Sequence, residues 1–169
     1  MPLLKAGRFV ADPWHRLADD AALPAGGKLL LPLGRLLGEA AGFDGELGVH
    51  LEPGERVEQV EPWLPRLGLV ALNFPSFADG RAYSTARILR TRYRFAGEVR
   101  AIGDVQIDRY QFMRQCGFDA FEIPPERANQ PWGRAEIEMT LTYQPDYAEP
   151  RGAEAVWRAR RVQQAIAAE

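Results

Sequence analysis

Residues 69–80 read LVALNFPSFADG and residues 98–108 read EVRAIGDVQID. In each, an apolar run (Leu69 to Phe74, Val99 to Gly103) ends in a turn that carries Gly and Asp, and the turn opens an amphipathic pattern. Ala82, Ala86, Leu89 and Tyr93 recur at helical steps after the first turn, and Ile107, Tyr110 and Met113 after the second. A nearly continuous apolar strand suits a parallel sheet covered on both faces. With a third strand at Asp119 to Ile123, the stretch reads β-turn-α-β-turn-α-β, and its polar turn residues fall at the carboxyl ends of neighbouring parallel strands.

The same unit extends toward the N-terminus. Lys28 to Leu33 is a short apolar run followed by helical composition over Gly34 to Ala41. Glu46 to Leu51 alternates and stops at the turn Glu52-Pro53-Gly54-Glu55. Val57, Val60 and Leu64 then recur at helical spacing until Pro62 and Pro65 cut that helix short. Strand starts near 47, 69, 99 and 119 are about one strand-loop-helix unit apart. Toward the C-terminus, Glu136 to Tyr143 alternates as a last strand, and Ala155, Ala159, Val162 and Ile166 mark a terminal helix. The expected molecule is one α/β domain with a mostly parallel sheet of five to six strands built from βα units, an open sheet or a partial barrel, plus a C-terminal helix. Its expected divisions are an irregular N-terminal arm (1–27) with a short strand at Gly7 to Val10, the α/β domain (28–145), and a linker with the terminal helix (146–169). A complete eight-unit barrel needs about 200 residues or more.

Composition excludes several classes. With 46% hydrophobic and 26% charged residues the chain is of the globular kind, and a net charge of −2 gives no global attraction to nucleic acid or membrane. No apolar run reaches signal-peptide or membrane-span length, so a cytoplasmic protein is expected. Cys116 is the only cysteine and His15 and His50 the only histidines, so no internal disulfide, no zinc-ligand spacing and no four-thiolate iron-sulfur site can be written from this chain. The glycine-rich nucleotide signatures, C-x-x-C and G-x-S-x-G are missing as well. No cofactor is evident.

Two constellations could carry chemistry. The first is Asp79, Arg81, Ser84 and Arg87 at a helix start, where amide N–H groups, the helix dipole and guanidinium forks favour an oxyanion. The competing reading is an N-cap and a solvated arginine face. The second is Arg100, Asp104 and Asp108. Arg100 lies in a strand that otherwise reads as buried, so it needs a partner such as Asp104 or Glu122. Asp79 and Asp104 are the candidates for proton transfer, and Arg81, Ser84, Arg87 and Arg100 for anion binding. His50, at the end of its strand, is at the edge where open α/β sheets collect ligands, and Asn73, Phe74, Ser76 and Phe77 could line a pocket there. Cys116 near a helix C-terminus lacks the field that activates a thiol.

The motifs FADGR (77–81), RAIGDV (100–105) and CGFDAFE (116–122), with LLLPL (29–33) and LGVHLEPGE (47–55), resemble the signature of a bacterial family of unknown function that is labelled as an oxidoreductase of sulfite reduction. The likeness runs from about 27 to 145 and implies an association with sulfite reductase, encoded beside such genes. It carries over no catalytic residues. Reduction of sulfite to sulfide uses siroheme and an iron-sulfur cluster, and any such group would belong to a partner, because this chain has no redox-cofactor motif. Three functions follow as expectations: an accessory protein that contacts sulfite reductase or its electron donor, with the Arg81 to Arg100 surface suited to an acidic partner; a small enzyme or binder of a sulfur oxyanion or adenylyl sulfate; and a structural module.

Overall fold

A computed structural model describes residues 1–18 and 21–137. Eight strands, β1 (Leu3–Lys5), β2 (Arg8–Val10), β3 (His15–Arg16), β4 (Lys28–Pro32), β5 (Glu46–Leu51), β6 (Leu67–Phe74), β7 (Glu98–Gly103) and β8 (Ala120–Glu122), form one sheet in the order β2-β1-β8-β7-β6-β5-β4-β3. Strands β3 through β8 are parallel, while β1 pairs antiparallel with both β8 and β2. The helices are α1 (Leu33–Glu39), α2 (Arg81–Thr91), α3 (Tyr110–Cys116) and α4 (Trp132–Ile137). A ten-residue 3-10 helix, Val57–Arg66, makes the β5–β6 crossover and contains both prolines that shortened the expected helix.

The sheet has eight strands rather than five or six because the N-terminal arm is not irregular. Its Leu3 and Leu4 are buried on β1, which lies between β8 and the edge strand β2, and the arm then runs along β4 as the other edge strand, β3. Such two- and three-residue strands are too short to show alternation in sequence. At the other end, α4 takes in Glu136 and Ile137, the first two residues of the expected strand at 136–143. The rest of that strand, the linker and the terminal helix lie outside the described residues.

Alternation divides the sheet into two unlike faces. Leu29, Leu31, Val49, Leu51, Val70, Leu72, Phe74, Val99, Ala101 and Phe121 point to one face and pack under α1, α2, α3 and the 3-10 helix in a continuous buried core. Leu30, Leu69, Ala71 and Ile102 point to the other, where Trp14 of the arm is their apolar cover. Among the described residues the helices therefore lie on one face only, and sequential parallel strands are neighbours, the winding that bends a sheet toward a barrel.

The ion pairs measure that bend. Five strand-to-strand steps separate β3 from β8, ~24 Å in a flat sheet. Yet Arg16 on β3 reaches Glu122 on β8 at 3.1 Å, far closer than two side chains could bridge across a plane. The sheet is an open, curled one whose concave face carries Arg16 and Glu122 and whose convex face carries the helices.

Candidate functional site

The carboxyl-end rim forms because β6 and β7 are adjacent and in register, Phe74 opposite Gly103. Gly103 holds φ at +86°, and a Cβ there would fall 2.4 Å from the Phe74 carbonyl, so only glycine lets the two turns pack together. The Asp104 amide donates to the Phe74 carbonyl at 2.7 Å. The loops after β6 and β7 thus leave the sheet side by side.

On that rim, Asp79 accepts from the Arg81 amide at 3.1 Å and from its guanidinium Nε at 3.0 Å. These bonds hold the Asp79 carboxyl below the usual range. Asp104 accepts from Arg127 at 2.6 Å and from Gln106 at 2.9 Å, and the Arg127 bond is the main reason its carboxyl is also depressed. Both acids are ionised and engaged at neutral pH, an arrangement suited to holding loops in place; proton transfer near pH 7 favours a group that titrates there. Asn73 donates to Glu52 at 2.7 Å. His50 Nε2 lies 3.0 Å from Glu52 but is buried and makes no hydrogen bond. Burial lowers the His50 pKa more than Glu52 raises it.

Beside the rim is an aromatic and cationic patch. Phe77 in the β6–α2 loop and Phe112 on α3 are 57% and 51% exposed. The Arg109 guanidinium lies over the Phe77 ring at 3.3 Å, and Tyr83 of α2 packs against Phe112 with ring centroids 4.8 Å apart. Residues 81–97 contribute five arginines and no acid. Asp79 and Asp119 neutralise Arg81 and Arg90, and Glu58 lies 3.9 Å from Arg92.

The concave face holds a third cluster. Arg100 is fully buried and donates to Asp12 at 2.7 and 3.0 Å, to Glu98 at 2.7 Å and to Glu122 at 3.2 Å. Burial works against its charge, but Asp12 and Glu98 outweigh that and raise its pKa further. Burial pushes Asp12 up, whereas hydrogen bonds from Arg100 and the Trp14 amide bring its carboxyl below the usual range. Lys5 pairs with Glu98 and Arg16 with Glu122, which makes three carboxylates against three cations.

The sequence-derived site residues therefore separate. Asp79, Arg81 and Asp104 share the rim, and Ser84 and Arg87 follow on α2. Arg100 alternates with the core residues Val99 and Ala101 and so faces away from α2. Of its two expected partners, Glu122 contacts it and Asp104 does not. Phe74 is core while Phe77 is exposed. Sequence reasoning passed over Asp12, Arg16 and Glu98. Glu98 carried a signal, since it is two residues from Arg100 on the same strand face. Asp12, 88 residues away, carried none.

A family model for bacterial proteins of unknown function, DUF934, matches residues 48–153. This chain belongs to that family. The match begins in β5 and takes in the rim, the aromatic patch and Arg100, and it leaves the arm with Asp12 and Arg16 outside. No curated protein and no solved structure matches the chain. Among the described residues no helix is long and apolar enough to cross a membrane, and no group of three or more His, Cys, Asp and Glu is placed to hold a metal.

Proposed function

We propose that this DUF934 protein is an accessory protein of assimilatory sulfite reduction that works by contact with sulfite reductase or its electron donor. The observation that carries the contact reading is the patch of Phe77, Tyr83, Arg109 and Phe112 beside an acid-free run of arginines. Two half-exposed phenylalanines cost solvation unless something covers them, and aromatic residues with arginine are the composition of interface hot spots. The arginine-rich stretch suits a partner with an acidic surface, and such charge matching speeds encounter. The link to sulfite reduction rests on the resemblance carried by FADGR, RAIGDV and CGFDAFE. In this reading any siroheme or iron-sulfur cluster belongs to the partner, since a cluster held by one chain needs about four thiolates and Cys116 is the only cysteine in the sequence.

The alternative, a small enzyme or binding protein for a sulfur oxyanion or adenylyl sulfate, requires Arg81, Ser84, Arg87 and Arg100 to converge on one ligand with Asp79 and Asp104 beside it. Arg100 spends its donors on the other face of the sheet, which favours the contact reading. Size-exclusion chromatography of the purified protein mixed with sulfite reductase and with its electron donor tests the proposal. Co-elution with either is expected; separate elution from both at micromolar concentration and low salt would remove it.

A further inference from the structure

Apart from the rim, the concave face contains a cleft of about 240 Å³ lined by Met1, Asp12, Trp14, Arg16, Leu30 and Glu122. We propose that this cleft binds a small organic anion whose apolar body lies on Trp14 and Leu30 and whose charge meets Arg16.

The hydrogen-bond inventory points to an anion. Asp12 is committed to Arg100, and Glu122 accepts from both Arg16 and Arg100, so neither lining carboxylate is left for a cation. Arg16 uses one nitrogen, NH2, for Glu122 at 3.1 and 3.2 Å. Among the described residues its Nε and NH1 have no acceptor, and its side chain is 48% exposed. A guanidinium fixed by one nitrogen presents its remaining N–H groups in a set direction, which suits a carboxylate.

The apolar wall is equally built. The benzo edge of Trp14 is seated where Gly48 and Gly68 have no side chain: a Cβ on either would come within 3.2 and 3.1 Å of the ring. Leu30 and Leu69 complete the seat and Lys28 caps the ring, 5.6 Å from its centroid. Trp14 also lines the cleft, and its Nε1–H has no acceptor among the described residues. Unmet groups in the cleft are thus donors, next to an indole. The volume is below the roughly 300–1,000 Å³ of drug-sized sites, so the ligand is a small one.

Benzoate is a suitable probe, with benzamide as its neutral counterpart. Isothermal titration calorimetry on the full chain should show one benzoate site, with benzamide at least about 10-fold weaker, because the charge-assisted bond to Arg16 is lost. Arg16→Gln should weaken benzoate by a similar factor and Arg16→Lys by less, and a benzoate-induced change in tryptophan fluorescence should vanish in Trp14→Phe. No benzoate binding, equal affinity for benzamide, or unchanged affinity in a folded Arg16→Gln variant would each overturn the proposal. The benzoate and benzamide comparison uses the wild-type protein alone, so the test stands even if Arg16 variants fail to fold.

Discussion

Arg100 shows how one residue joins sequence-distant parts of the chain. A buried guanidinium is tolerated because Asp12, Glu98 and Glu122 surround it; Glu98 and Glu122 also pair with Lys5 and Arg16, while the ion pair of Asp12 is with Arg100. Arg100→Met should therefore cost about 3–5 kcal/mol, since it leaves three carboxylates without their shared cation. Urea unfolding at pH 7 measures this, and a loss below about 1 kcal/mol would show that the network contributes little. His50 makes a pH prediction. Its folded pKa lies below the ordinary 6.5, chiefly through burial, so between the depressed value and about 6.5 the unfolded chain binds more protons than the folded one. The stability His50 contributes is complete above about pH 6.5 and is lost as pH falls through that window. In His50→Gln the stability curve between pH 7 and 5 should be flatter than in wild type; parallel curves would contradict the assignment.

Arg90 acts at the scale of elements. It projects from α2 and donates to the carbonyls of Phe95, Gly97 and Gly117 and to Asp119, so one side chain ties the end of α2 to the entry of β7 and the end of α3. Arg90→Met keeps much of the stem but leaves those carbonyls without donors, at a cost of about 2–4 kcal/mol. Its thermal midpoint should fall well below that of Arg92→Met, whose side chain is 64% exposed. Equal midpoints would mean that the loop carbonyls find other donors. Such long-range ties were illegible in the sequence, where nothing set Arg90 apart from the other arginines that follow Asp79. What was legible was local and periodic. Glu46–Leu51 was bounded correctly, and β6, β7, α2 and α3 fell where the apolar pattern put them. Gly117 closes α3 with φ +107° and its amide bonded to Arg114 and Met113, as a Cys-Gly helix end should. The 3-10 form of Val57–Arg66 was not legible, because i, i+3 apolar spacing fits both helix types. Of the arm's strands, β2 fell within the expected Gly7 to Val10, while β1 and β3 were too short to register.

Over the whole molecule, a sheet with helices on one face curls until its arm meets β7 and β8, and this separates two surfaces that the sequence had merged. Arg81 and Arg100 belong to neighbouring βα units, so a linear reading set them around one ligand. Alternation along β7 turns Arg100 inward, while the loop after β6 carries Phe77 outward to Arg109 and Phe112. The rim half of the candidate site was therefore legible from the turns after the strands, and the concave half, assembled from residues up to 106 apart, was not. Contact through the outward patch is the central claim, and isothermal titration of sulfite reductase and of its electron donor with wild type and with Phe77→Ser/Phe112→Ser tests it most directly. The expected result is binding that weakens with added salt and falls about 100-fold in the double variant at unchanged thermal midpoint. Binding of the same affinity in both proteins would contradict it.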